Sequence, residues 1–255
     1  MATEDDPEGA REEFDTEAAW TVEVLAELPT EDAIPGACRG SGDPASLGWL
    51  ADALEVSQAT RFLDLGGGIG GPAAWLQRRH GCEPVVAEPM LDAVRGAGSL
   101  FGLHAVASAD QLPFATEAFD AGWALAVLST VDDTSGALAE LHRVIAPAGH
   151  LGLQEYLRTV DRVDDPPEGN AFFTFEELGS ALKQAGFETV EDIAMASLTS
   201  PPPAWQALVD QVKATVADHH AGSEALKDSQ RAEHRFAQLL SEGALTVRLV
   251  HAVRL

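Results

Sequence analysis

Through the middle of the chain, short apolar runs alternate with stretches whose apolar residues recur at helical spacing. The pattern predicts strand 61–65, helix 71–79, strand 83–87, helix 90–100, strand 104–108, strand 121–126, helix 134–145 and strand 150–156. Near Thr174 the sequence Thr-Phe-Glu-Glu-Leu offers a threonine N-cap with an acid at the third helical place; that helix runs to Ala185, and Gly186 stops it. A sixth strand is expected over 187–194. Pro201, Pro202 and Pro203 then open a segment, 201–242, with helical spacing at Trp205, Leu208, Val212 and Val216 and again at Phe236, Leu239 and Leu240, which predicts two or three helices. A last strand is expected over 245–253, and an N-terminal helix around Glu17 to Leu28.

Strand and helix signals that alternate in this way build a parallel sheet with helices on its faces, so the fold class is α/β and doubly wound. At 255 residues the chain holds one full core. The division expected is a disordered tail over 1–13 and a single domain over 14–255. That domain comprises an N-terminal helical cap (14–57), a core (58–200), a helical lid (201–242) and a final strand (243–255).

The densest chemistry lies at 62–76, where an apolar strand carries Asp64 and runs into Gly66, Gly67, Gly68, Gly70 and Gly71 before the next helix. Glycines here let the backbone turn tightly and approach a ligand that a Cβ would repel, and the helix start presents free N–H groups. Gly66, Gly68 and Gly71 also satisfy the dinucleotide fingerprint, so the glycines alone leave the cofactor open. Asp64 separates the candidates: a carboxylate two residues before the first glycine is unfavourable beside a pyrophosphate and suits an ammonium group.

The pattern Asp64-x-Gly66-x-Gly68-x-Gly70, with Gly71, Pro72 and Ala73 after it, resembles the first motif of the class I S-adenosylmethionine-dependent methyltransferases, in the small-molecule branch that includes quinone-biosynthesis C-methyltransferases. Later residues fall in the family's order. Glu88 ends the second strand at the distance of a carboxylate that bridges both ribose hydroxyls, and Pro89 and Met90 follow it. The stretch from Ala109 to Phe114 resembles the family's adenine-holding segment with one departure. The family has Asp then Ala before Leu-Pro-Phe, and this chain has Ser108, Ala109 and Asp110, so either Ser108 or Asp110 meets the adenine amino group. The resemblance also implies that Leu125 lies at the cofactor, that the sheet has seven strands with the last one antiparallel, and that the cofactor is S-adenosyl-L-methionine with S-adenosyl-L-homocysteine as product.

Methyl transfer needs an aligned nucleophile and a dry site rather than a covalent intermediate, and a general base where the acceptor is a hydroxyl or an acidic carbon. His219 and His220, in the lid, are the candidate bases. Arg39, before the first core helix, is a candidate for the methionyl carboxylate, and Asn170 for cofactor or acceptor. Where the family often carries two histidines after the fourth strand, this chain has Ser129 and Thr130, which leaves Trp123, Leu128 and Tyr156 to shape a partly apolar pocket.

The net charge of −25, from 41 acids against 16 bases, repels nucleic acid and anionic membranes, so the partner expected is a small molecule. The two cysteines form no disulfide framework or metal spacing, and no metal is expected. The absence of a signal sequence or a membrane-length apolar run points to the cytoplasm, and a homodimer stays open. A nicotinamide-dependent oxidoreductase and a non-catalytic S-adenosylmethionine-binding protein are the alternatives.

Overall fold

The computed structural model describes residues 7–102 and 104–255. Seven strands, β1 (Phe62–Leu65), β2 (Val85–Glu88), β3 (His104–Val106), β4 (Phe119–Leu125), β5 (Ile145–Arg158), β6 (Phe187–Ala194) and β7 (Leu245–Arg254), form one sheet in the order β3-β2-β1-β4-β5-β7-β6. Pairing is parallel from β3 through β5, and β7 runs antiparallel to both β5 and β6. The doubly wound sheet with an antiparallel last strand is therefore as expected.

Nine helices accompany it among the described residues: α1 (Pro7–Leu25), α2 (Thr30–Ala37), α3 (Pro44–Ala53), α4 (Gly71–His80), α5 (Leu91–Leu100), α6 (Thr134–Val144), α7 (Phe175–Gln184), α8 (Pro203–His219) and α9 (Glu224–Ser241). Their ends follow local chemistry. Asp43 accepts from the Ala45 and Ser46 amides while Ser46 returns a bond to the Asp43 amide, a capping box at α3; Thr174 and Glu177 make the same box at α7. Left-handed Gly70 and Gly81 bracket α4, whose last turn holds Arg78, Arg79 and His80 against the helix dipole. Within the segment expected as a lid, α8 starts at the Pro202–Pro203 step and α9 follows Ser223.

Three expectations need correction. Residues 1–6 of the expected tail lie outside the described residues, but from Pro7 the backbone is helical, so α1 starts well before Glu17. Its first turns are acidic and polar, which hid them from an apolar pattern. Within the expected helical cap, no separate helix was assigned over 30–37, yet Pro35 and Gly36 lie within α2, where Ala33 to Ala37 are all buried. The third strand is three residues long rather than five: past Val106 the Ala107 amide still bonds to the Glu88 carbonyl, and Ser108 then pairs with Gln111 instead of β2.

Side chains alternate across the sheet. Leu63, Leu65, Leu151 and Leu153 meet α6 and α7, while Phe62, Trp123, Leu125 and Leu249 meet α3 and α4. A third cluster sits over the carboxyl ends of β1 and β2: Ala18 and Leu25 of α1, Ala33 and Ala37 of α2, and Val212 and Val216 of α8 pack with Ile69 and Ala93. It makes α1, α2 and α8 a roof above the glycine turn.

Candidate functional site

The glycine turn is built around Asp64. Gly66, Gly68 and Gly70 have φ of +64°, +54° and +85°, the left-handed region that L side chains rarely enter. Gly67 lies over the Asp64 carboxyl, so that a Cβ there would come within 2.7 Å of Asp64 Oδ2. At Gly71 a Cβ would meet the Ala37 carbonyl carbon and the Cys38 nitrogen at 2.4 Å, so α2 and α4 touch backbone to backbone beside the turn. Around Gly68 nothing lies within 4 Å of a Cβ position, and this is the open side of the turn.

Asp64 is 1% exposed and its Oδ2 has no hydrogen-bond partner. Burial pushes its carboxyl up to about 7; Glu88 adds to the rise, while the Trp123 indole and the Ala73 amide act against it. The geometry makes that indole a weak counterweight, since its N–H reaches no acceptor. A buried carboxyl with an unsatisfied oxygen, next to exposed backbone, is a receptor for a donor or a cation.

Glu88, at the end of β2 and 2% exposed, accepts from the Gly68 amide at 2.9 Å through one oxygen and from the Met90 amide at 3.1 Å through the other. Burial raises its pKa, and these two amides pull it back. Asp15 of α1 and Arg39 are close enough to act on its charge, so α1 and the turn after α2 roof this carboxylate. Asp15 also caps α5, accepting from the Asp92 and Ala93 amides at 3.0 Å each. That cap was not read from the sequence.

Arg39 pairs with Glu17 of α1 at 2.9 Å, stacks on the Phe14 ring, and shares Glu17 with the Ser229 hydroxyl of α9. Its place is consistent with a ligand-facing role, but its present partner is an acid of the roof. Pro89 is exposed, and Met90 is half-buried among the roof residues. Ser108 and Asp110 are exposed beyond β3 and hydrogen-bond to each other, and Ala109 packs against the core between them. The Leu112–Phe114 segment after them is pinned by α6: Glu140 accepts from the Leu112 amide, and Arg143 donates to the Leu112 and Phe114 carbonyls. Leu125 closes β4, buried in the core.

Asp64, Glu88 and the glycines thus form one group. His219 and His220 do not join it. His219 is exposed at the end of α8; His220 stacks on Trp20 of α1 at 4.0 Å between ring centroids, and neither bonds to Asp64 or Glu88. Asn170 bonds to its own loop through the Glu168 carbonyl. Trp123 and Leu128 are wholly buried core residues rather than pocket walls, and only Tyr156 is half-buried, against Phe236 of α9. Among the described residues no group of His, Cys, Asp and Glu is arranged to hold a metal, and no helix is long and apolar enough to cross a membrane.

Residues 63–153 match the family model described as methyltransferase domain. The methyltransferase GfsG of Streptomyces halstedii is 32% identical over 132 residues, covering 44% of this chain and 48% of that protein. The malonyl-acyl-carrier-protein O-methyltransferase of Laribacter hongkongensis is 32% identical over 181 residues, covering 62% and 58%. The chain thus spans about half the length of these curated relatives. Among solved structures, the 4+2 cyclase SpnF aligns with a TM-score of 0.67 at 23% identity, over 82% of this chain and 79% of that one. Geranyl diphosphate C-methyltransferase from Streptomyces coelicolor A3(2), in complex with geranyl diphosphate and S-adenosyl-L-homocysteine, aligns with a TM-score of 0.62 at 15% identity, over 82% and 79%.

Proposed function

We propose that this chain, whose residues 63–153 form a methyltransferase domain on the class I fold, transfers the methyl group of S-adenosyl-L-methionine to a small-molecule acceptor. The observation that carries the reading is the pair of buried carboxyls at the carboxyl ends of β1 and β2. Asp64 has an unsatisfied oxygen for the methionyl ammonium, and Glu88 is held by two backbone amides where it faces ribose hydroxyls. Both are acceptors, which fits a cationic ligand with a free diol and disfavours a 2′-phosphate. Arg39 supplies a guanidinium for the methionyl carboxylate once it leaves Glu17, and Ser108, Ala109 and Asp110 stand beyond β3 on the adenine side.

When bound, the cofactor supplies a methyl group on a sulfonium, an electrophile that needs only an aligned nucleophile. The residues of this chain therefore bind, orient and exclude water. Asp64 holds the methionyl end of the ligand and Glu88 its ribose, and the roof of α1, α2 and α8 keeps water out. His220 is engaged with Trp20 and His219 faces solvent, so neither is assigned as base in this reading. The acceptor enters from the side of Ser129, Thr130 and Tyr156, under α9; a partly apolar small molecule suits Tyr156 and the Phe172–Phe236 pair.

A second reading is one in which the cofactor is bound but no methyl group moves, since the fold alone, which a cyclase also has, does not fix the reaction. The nicotinamide alternative loses ground to Asp64, which would stand against a pyrophosphate. Calorimetric titration with S-adenosyl-L-methionine, S-adenosyl-L-homocysteine and both nicotinamide dinucleotides separates the three. Micromolar binding of the sulfur ligands alone, followed by methyl loss with some acceptor in a screen, is expected. Nicotinamide binding alone refutes the reading, and tight binding with no turnover favours the second.

A further inference from the structure

The segment after β4 is held by a carboxyl that the proposed chemistry does not use. β4 ends at Leu125, and Ala126 makes the last rung toward β5, its amide donating to the Gln154 carbonyl at 2.6 Å. Ala126 then takes φ +59°, the left-handed region, and the chain leaves the sheet. The next amides, Val127 and Leu128, are buried and have no strand to pair with, which would cost each a hydrogen bond. Glu155, wholly buried on β5, supplies the acceptor: one of its oxygens accepts from Val127 at 3.2 Å and from Leu128 at 2.9 Å. The Ser129 amide and hydroxyl also face this carboxyl. Two successive backbone N–H groups, with Ser129 beside them, therefore form a cradle around a side chain of the neighbouring strand.

This cradle touches both halves of the site. Val127 lies against the glycine turn, so closely that a Cβ on Gly66 would come within 2.5 Å of Val127 Cγ2. On the other side the Ser129 carbonyl accepts from the Ala171 amide at 2.7 Å, tying down the loop after β5, and the Thr134 hydroxyl bonds to the Leu128 carbonyl. We propose that Glu155 is a positioning residue: its carboxyl sets the backbone of 127–129, and through Val127 it fixes the first glycine of the cofactor turn relative to the acceptor side. The second half of this statement rests on the proposed cofactor site; the first does not.

A carboxyl is an expensive way to satisfy two amides. Its second oxygen has no partner, and burial pushes its pKa up to about 8. The charged groups around it do not neutralise it: Arg248, opposite Glu155 on β7, pairs with Asp192 of β6, and Tyr156 points to the other face of β5. An apolar side chain of the same size would remove that burden but leave the two amides bare. Stability and positioning are thus set against each other at this one residue, and the conflict makes the role testable.

The test compares the full-length protein with Glu155→Leu and Glu155→Gln. Thermal unfolding, amide hydrogen exchange of 127–129 and titration with S-adenosyl-L-homocysteine are measured for each. Glu155→Leu should unfold at the wild-type temperature or above, yet exchange the 127–129 amides at least tenfold faster and bind the ligand at least tenfold more weakly. Glu155→Gln, which keeps an acceptor oxygen, should restore slow exchange and bring affinity at pH 6.5 to within about threefold of wild type. A purely structural role would lower the unfolding temperature and the affinity together, with no rescue by glutamine. Unchanged exchange at 127–129 in a folded Glu155→Leu overturns the proposal. If the wild type fails to bind the ligand, the cofactor reading falls, while the exchange result still decides the cradle.

Discussion

If the ammonium of the cofactor docks on Asp64, the ligand must meet an ionised carboxylate, whereas the ligand-free site holds a proton on it up to a pH of about 7. Binding is then coupled to release of that proton. With a pKa near 7, the ionised fraction falls from about 0.9 at pH 8 to about 0.1 at pH 6; since about half of the ligand ammonium is uncharged at pH 8, the Kd for S-adenosyl-L-homocysteine should rise about fivefold between pH 8 and pH 6, about 1 kcal/mol. Close to one proton should leave per ligand bound at pH 6, where the ligand ammonium, with a pKa of about 8, is already fully charged. Titration calorimetry in two buffers of different ionisation enthalpy reads that proton directly. Asp64→Asn should remove both the release and the pH dependence and bind weakly throughout. A wild-type Kd that is flat from pH 6 to 8, with no proton exchanged, would refute the docking on Asp64.

The same raised values carry a stability signature. Asp64 at about 7 and Glu155 at about 8 hold protons in the folded state that the unfolded chain gives up near the ordinary carboxylate range, so the native state binds more protons and stability should fall as pH rises from 5 to 8. Urea midpoints across that range check this, and Asp64→Asn should be more stable than wild type at pH 8; a less stable variant contradicts the burial argument. Glu88→Gln should weaken S-adenosyl-L-homocysteine binding by about 1.5–3 kcal/mol at pH 8, since it loses charge-assisted acceptance; calorimetry giving wild-type affinity would exclude Glu88 from the site. Gly71→Ala should cost about 1–3 kcal/mol, because the added carbon meets backbone of Ala37 and Cys38 that cannot step aside. Gly68→Ala, with open space but φ +54°, should cost less by the same scanning calorimetry, and the reverse order would mean that α2 yields.

What the chain disclosed in advance was its short-range chemistry. Asp64 and the glycines lie within one strand-turn-helix unit, and Glu88 follows at the end of the next strand, so spacing alone placed them together. The caps at Thr174 and at Pro202–Pro203 were legible for the same reason. The residues that escaped are those whose meaning depends on a distant partner. Asp15 is one more acid in an acidic segment until α5 arrives 77 residues later, and Glu155 is one polar position in a strand until Val127 and Leu128 turn toward it. Arg39 stood out as a candidate, but its partner Glu17 did not. His219 and His220 differ again: residue type alone suggested them, and the stack of His220 on Trp20 of α1 was not readable from the sequence.

The place of β7 also constrains how the chain comes to its native state. β5 pairs with a strand that begins at Leu245, and β6 reaches the sheet only through it. During synthesis β5 must therefore wait for more than eighty further residues with one edge unpaired, and β6 has nothing to add to. Such an edge recruits stray strands, and acids at Glu188, Glu191 and Asp192 keep β6 from serving as one. A ribosome stalled before Leu245 should release a chain whose β1–β5 part is assembled and whose β6 is not, a substrate for chaperones rather than a smaller enzyme.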